Sequence, residues 1–204
     1  MSDISQAQAS LARGFNDPAR DSQTAFRALM YAMARPGVPR ALEARLSPPA
    51  PLTPELAALA LTVLDYETTV WLDPALAGEA AVVDFLRFHT SARLVTEPEA
   101  AQFALIADGS ALPAFSRFAQ GEPDYPDRST TLLVAVSSFT DGPFQVEGPG
   151  LPAPVGFGAT PLPADMTQRL AENRALFPLG IDLVLAAPGA ILALPRSVRV
   201  REEA

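Results

Sequence analysis

The sequence predicts an α/β domain built on a mixed, partly antiparallel sheet flanked by helices. Three observations carry this reading. Stretches with helical periodicity alternate with short β-branched or apolar runs along the chain. Pro188-Gly189 joins two such runs, a hairpin signal that makes part of the sheet antiparallel. With 204 residues, 49% apolar and 19% charged, the chain can bury one sizeable core and is too apolar for disorder.

Taken in order, residues 1–16 are expected to be a loosely ordered lead-in, and 17–201 a single domain. Asp17 is a helix cap with Pro18 in the first turn. Phe26, Leu29, Met30 and Met33 then follow the spacing of one apolar face, and Pro36-Gly37 stops the helix. "GVPRALEARL" suits an edge strand, because Pro39 cannot donate to a ladder. "SPPAPLTP" is an extended linker. The segment 54–65 is apolar almost all round, so it is a helix buried on several sides, by its own fold or by a partner chain. "TTVWL" alternates as a strand and holds the sole tryptophan, Trp71. A second helix is expected from about Ala77 to Phe88.

"RLVT", "AQFALIAD" and "STTLLVAVSSF" read as strands. "ALPAFSRFAQ" between the last two reads as a short helix, followed by the turn-rich "GEPDYPDRS". "GPFQVEGPGL" is a strand ending in a glycine–proline turn. Met166, Leu170, Asn173 and Phe177 mark one stripe of a helix over about 163–176. "IDLVLAA" and "AILALPRSVRV" close the chain as strands. No internal repeat is visible.

Composition excludes whole classes of chemistry. All 15 basic residues are arginine, because the chain contains no lysine. Covalent anchoring of pyridoxal phosphate and lysine-based aldolase chemistry are therefore excluded, as is a P-loop. Zero cysteine removes disulfides, thiolate nucleophiles and cysteine-held iron–sulfur or zinc sites. One histidine excludes a histidine-rich metal site within a chain. The expected cofactor set is empty. A net charge of −8 argues against non-specific nucleic-acid binding. No apolar run is long enough for a membrane span, and the first residues lack a signal-peptide layout. The expectation is a cytoplasmic protein.

The sole histidine, His89, continues the face of Val82, Phe85 and Leu86 at i+7 and sits at its helix C-terminus, where exposed carbonyls favour it. A structural histidine fits this placement better than a general base, which needs an orienting partner that no spacing supplies. Arg87 lies opposite that face, three residues after Asp84. It is either half of a surface ion pair or a forked donor for phosphate or phosphonate. Arg93, Arg128 and Arg196 offer the same chemistry from loops or strand ends. Asp182 falls inside an apolar strand and needs a partner, for which Arg196 is placed; the pair is a structural lock or part of a site. The glycines of "EGPGL" and "VGFGAT" form no GxGxxG opening a helix, so tight turns explain them better than a phosphate cradle.

"FRALMYAMARPGV", "TVWL", "LRFHT", "EPDYPDRSTTLLVAV", "GPGL", "FPLGIDLVL" and "LPRSVRV" together resemble the PhnH family, a subunit of carbon–phosphorus lyase, from about residue 15 to 201. The most specific marks are "RFHT" (Arg87, Phe88, His89 and Thr90) and "FPLGIDL". The resemblance implies a fold related to the pyridoxal-phosphate-dependent transferases without the cofactor, in agreement with the missing lysine. It implies a homodimer in isolation and a place beside the PhnG, PhnI, PhnJ and PhnL subunits. It further implies a role in attaching a phosphonate to the ribose of a nucleoside triphosphate. Arg87, His89, Thr90, Asp182 and Arg196 become candidates for ligand or subunit contact. A rival reading is a free-standing enzyme with an arginine-lined pocket for an anion.

One test follows from composition alone. After blocking of the α-amino group, incubation with pyridoxal phosphate and borohydride should leave no side-chain adduct by mass spectrometry, since trapping needs a lysine amine. A stable adduct on any side chain contradicts the assignment.

Overall fold

The computed structural model describes residues 12–202; most of the expected lead-in, residues 1–11, lies outside them. Among the described residues five helices form: α1 (Pro18–Ala34), α2 (Pro54–Val63), α3 (Pro74–Ala77), α4 (Ala80–Thr90) and α5 (Met166–Ala175). The strands are β1 (Arg40–Ala41), β2 (Thr69–Leu72), β3 (Arg93–Val95), β4 (Phe103–Ile106), β5 (Gln120–Glu122) and β6 (Tyr125–Ser129). They continue with β7 (Thr131–Ala135), β8 (Ser138–Glu147), β9 (Val155–Thr160), β10 (Asp182–Ala187), β11 (Ala190–Leu194) and β12 (Arg199–Glu202).

Seven strands make one sheet in the order β1-β11-β10-β7-β4-β2-β3. From β10 through β3 every pairing is parallel. The β10–β11 hairpin and the two-residue β1 then finish the other edge antiparallel, so the mixed sheet is confirmed. The two-residue hairpin loop needs Gly189, whose φ is +77°.

Side chains along the central strands alternate between two cores, as the period of two requires. Val70, Leu105, Leu133, Val184 and Ile191 enter one with α1, α2 and α4. Trp71, Ile106, Leu132, Leu185 and Leu192 enter the other. That second face departs from the expected helical covering. A three-stranded antiparallel sheet, β12-β8-β9, and α5 cover it, together with single 3-10 turns. Only the first face is covered by several helices.

The helix expected over 54–65 is α2, and its burial is internal. Leu56, Ala57, Ala58, Leu59 and Ala60 are at most 1% exposed within the single chain, so its apolar pattern is no subunit surface. Its acidic residue is also used: Glu55 Oε1 accepts the Gly189 N–H at 2.9 Å, tying α2 to the hairpin turn. The α1 cap is as read, with Asp17 accepting from the Arg20 N–H. The apolar face of α1 is shifted, however. Ala25, Leu29 and Ala32 are buried while Phe26 and Met30 are half exposed, because small residues let α1 lie close to α2 and the sheet.

Other boundaries move for identifiable reasons. The helix expected at 77–88 is α4, and a separate turn, α3, precedes it, capped by Asp73, which accepts from the Leu76 N–H at 2.9 Å. "ALPAFSRFAQ" holds only the 3-10 turn Phe115–Arg117; a second such turn, Gly109–Ala111, ends at its first residue, and Pro113 lies between the two. "GEPDYPDRS" belongs to a hairpin, β5–β6, that tolerates its prolines by being irregular and two-stranded. "VGFGAT" is strand β9, not a turn: a Cβ on Gly158 would collide with the Gly142 carbonyl, so glycine there admits the bulge in β8. "STTLLVAVSSF" and "AILALPRSVRV" each split, giving one strand to each sheet.

Leu59→Ala should cost about 2–5 kcal/mol of unfolding free energy by removing a fully buried side chain. Denaturant titration should give the same loss at every protein concentration. A loss that vanishes on dilution would return Leu59 to a subunit interface.

Candidate functional site

The predicted site residues fall into two groups that the fold keeps apart. Arg87, His89 and Thr90 end α4, which leads into the edge strand β3. Asp182 begins β10, with β7, β4 and β2 between it and β3.

At the end of α4, Ser91 takes the left-handed conformation at φ 58° and closes the helix. Thr90 is buried; its hydroxyl donates to the Leu86 carbonyl at 2.7 Å and accepts the Ala92 N–H at 3.1 Å. Both capacities serve the helix terminus. His89 is half buried, with ring centroids 4.6 Å from Phe85 and 5.0 Å from Phe88. Its Nε2 lies 3.0 Å from the Ala12 carbonyl. A carbonyl only accepts, so Nε2 carries the proton in this contact. Gly14 lies flat on the ring: a Cβ there would sit 2.8 Å from Nδ1. His89 therefore fastens residues 12–16 to α4, the structural role its helical position suggests. Arg87 is exposed, and the expected ion pair with Asp84 is not made.

Asp182 and Arg196 do pair. The Arg196 Nη2 donates to Asp182 Oδ2 at 2.6 Å and its Nε to Oδ1 at 3.2 Å; its backbone N–H also reaches Oδ1, at 2.8 Å. The same guanidinium donates to the Pro126 carbonyl at 2.6 Å and to the Ser129 hydroxyl. One side chain thus joins β10, the β6 strand and the segment after β11. Nearly all its donors are spent inside the protein, and both Asp182 oxygens are occupied. This geometry describes a lock, and it leaves little for a ligand. Arg93 is exposed. Arg128 is turned to Glu122 and lies over the Tyr125 ring.

Open α/β sheets usually bind ligands beyond the C-terminal strand ends, where connections diverge. Here that end is filled. Asp73 is 2% exposed and accepts from the Leu76 and Ala107 N–H groups, each at 2.9 Å. A Cβ on Gly109 would sit 2.2 Å from the Pro161 carbonyl. Among the described residues no group of three or more histidine, cysteine or acidic side chains is placed to hold a metal ion. No helix among them is long and apolar enough to cross a membrane.

A concavity lies elsewhere, as a groove of about 850 Å3 along α1 facing residues 40–45. Arg20, Arg27, Arg40 and Arg45 line it. Sequence reasoning passed over these residues, because exposed arginines on α1 and on the stretch after it match no motif, and that they face one another shows only in the fold.

The described residues form an α/β domain with a saturated internal ion pair, a helix-end histidine held against the Ala12 carbonyl and an arginine-lined groove, and among them no catalytic constellation is assembled. The family described as bacterial phosphonate metabolism protein (PhnH) matches residues 13–201, and the chain belongs to that family. It is 42% identical, over 93% of its length and 94% of the relative's, to the alpha-D-ribose 1-methylphosphonate 5-triphosphate synthase subunit PhnH of Rhizobium meliloti (strain 1021). It is 30% identical to HtxG of Stutzerimonas stutzeri, a candidate C-P lyase subunit, over 87% of this chain and 85% of that one.

Two substitutions separate lock from site. Arg196→Ala should destabilise the chain by about 3 kcal/mol, since it leaves a largely buried carboxylate unpaired; thermal unfolding reads this directly. His89→Ala should release residues 12–16 to faster hydrogen exchange while changing turnover of the assembled system less than the roughly 10²-fold or more expected for a general acid–base. A well-folded His89→Ala protein with such a loss contradicts the structural role.

Proposed function

We propose that this chain is the PhnH-type subunit of a carbon–phosphorus lyase system for phosphonate catabolism. In that role it is required for forming alpha-D-ribose 1-methylphosphonate 5-triphosphate from ATP and methylphosphonate. It acts there as an accessory or structural subunit of a transferase, with the catalytic groups on a partner. The observation that carries this reading is the 42% identity across nearly the full length of the Rhizobium meliloti subunit.

The residues support the division of labour. The lone histidine is engaged by the Ala12 carbonyl, and the buried Asp182–Arg196 pair is consumed by its own contacts. General acid–base catalysis needs a group in reach of substrate and unspent on packing. The family resemblance adds PhnG, PhnI, PhnJ and PhnL as partners, a cytoplasmic location and a homodimer in isolation. It also adds kinship with the pyridoxal-phosphate-dependent transferase fold. Half-exposed Phe26 and Met30 on α1 and Phe88 at 71% exposure on α4 suit such contacts, because assembly surfaces favour large apolar side chains.

Growth on methylphosphonate as sole phosphorus source tests the assignment. Deleting the gene in its own host should abolish that growth without affecting growth on phosphate, and the wild-type chain should restore it. The purified chain alone should transfer no phosphonate to ribose. Transfer by the chain alone would establish the free-standing enzyme instead.

A further inference from the structure

The groove along α1 has the chemistry of an anion site. Arg20 and Arg27 stand on one face of α1, seven residues apart, with Tyr31 continuing that face. Arg40 and Arg45 approach from the facing segment. Arg20, Arg27 and Arg45 make no side-chain hydrogen bond or ion pair among the described residues. Arg40 rests over the Tyr31 ring at 5.0 Å, an arrangement that leaves the edge of a guanidinium free to donate. This contrasts with Arg169, Arg196 and Arg201, whose donors are spent on carboxylates.

The acids in the groove offset this field only in part. Asp17 and Asp21 serve the start of α1: Asp17 Oδ1 accepts the Arg20 N–H at 3.2 Å, and Asp21 Oδ2 accepts the Asp17 N–H at 3.0 Å. Glu43 is the remaining acid on the lining. Four guanidinium groups against three carboxylates leave a net positive groove on a chain of net charge −8. Screening over about 8 Å at physiological ionic strength weakens the acids elsewhere on the chain, so the arginines and carboxylates that line the groove set its field together.

We propose that this groove binds a polyphosphate chain, with Arg27, Arg40 and Arg45 as the principal donors. A volume of about 850 Å3 falls within the range of small-molecule sites and exceeds what one phosphate would fill. Separated arginines on two elements favour an extended anion that bridges them, since each forked donor takes its own pair of oxygens. Arg40 lies over the Tyr31 ring, which takes one stacking face from a nucleobase and favours readout of the phosphates. That the bound chain is a triphosphate rests on the function proposed above, where such a group is present in both substrate and product.

Calorimetric titration of the full-length chain tests this with inorganic triphosphate, ATP, adenosine and methylphosphonate as separate probes. Triphosphate and ATP should bind with similar affinity, and adenosine should not bind. Arg27→Gln/Arg45→Gln should weaken both by roughly tenfold or more, the scale of one charge-assisted hydrogen bond. Arg93→Gln, on β3 at the opposite edge of the sheet from β1, should leave them unchanged. Both variants alter exposed side chains, and matching thermal unfolding curves establish that each is folded. Absence of saturable triphosphate binding overturns the proposal, as does binding indifferent to the groove substitutions. Binding of ATP without triphosphate also overturns it, since the base would then be what is read. Incorporation into the multisubunit complex is scored separately: a wild-type chain that assembles normally yet binds no triphosphate refutes the groove and leaves the subunit assignment standing.

Discussion

The parallel core of the sheet is buried on both faces, and that requirement organises everything around it. Leu132, Leu133, Val134, Leu183, Val184 and Leu185 are wholly buried, so β7 and β10 need apolar cover above and below. Residues of this kind are each worth about 1.5–3 kcal/mol when removed from water. One side is supplied by α2, whose lack of a polar face then becomes a necessity. The other side is supplied by β8, β9, β12 and α5. The Asp182–Arg196 pair sits where β10 enters this core and joins three segments, and Asn173 does similar work by holding both backbone groups of Ile181.

This constraint explains what could be read from the sequence. The alternating strands, the Pro188-Gly189 hairpin and the Asp17-Pro18 helix start rest on local chemistry and were legible. What failed depended on tertiary partners. The burial of α2 reads identically whether the partner is a sheet or another subunit. Phe26 and Met30 fit an apolar period, yet Ala25, Leu29 and Ala32 won the buried face because close helix packing favours small side chains. The glycines of β9 suggested turns, and only the bulge opposite them shows why a strand needs them.

The candidate site was legible in part. His89 as a packed helix end follows from its i+7 position, and the Asp182–Arg196 pairing from the cost of a buried charge. The partner of His89, the Ala12 carbonyl, lies 77 residues away and no spacing rule reaches that far. The arginine groove is likewise a feature of the fold: Arg27 and Arg45 line one groove, and neither belongs to a motif that would pair them. Residues that look catalytic by type are spent on structure here, and arginines that look ordinary are the ones left available. A subunit that supplies surface and binding to a larger assembly fits that distribution.

Reconstitution by omission bears most directly on this account. The transferase is assembled from purified subunits of one organism with and without this chain, and formation of ribose 1-methylphosphonate 5-triphosphate from ATP and methylphosphonate is followed by phosphorus NMR. The account predicts product only when the chain is present, with the chain co-migrating stoichiometrically and no product from the chain alone. Full product formation in its absence would contradict the central claim.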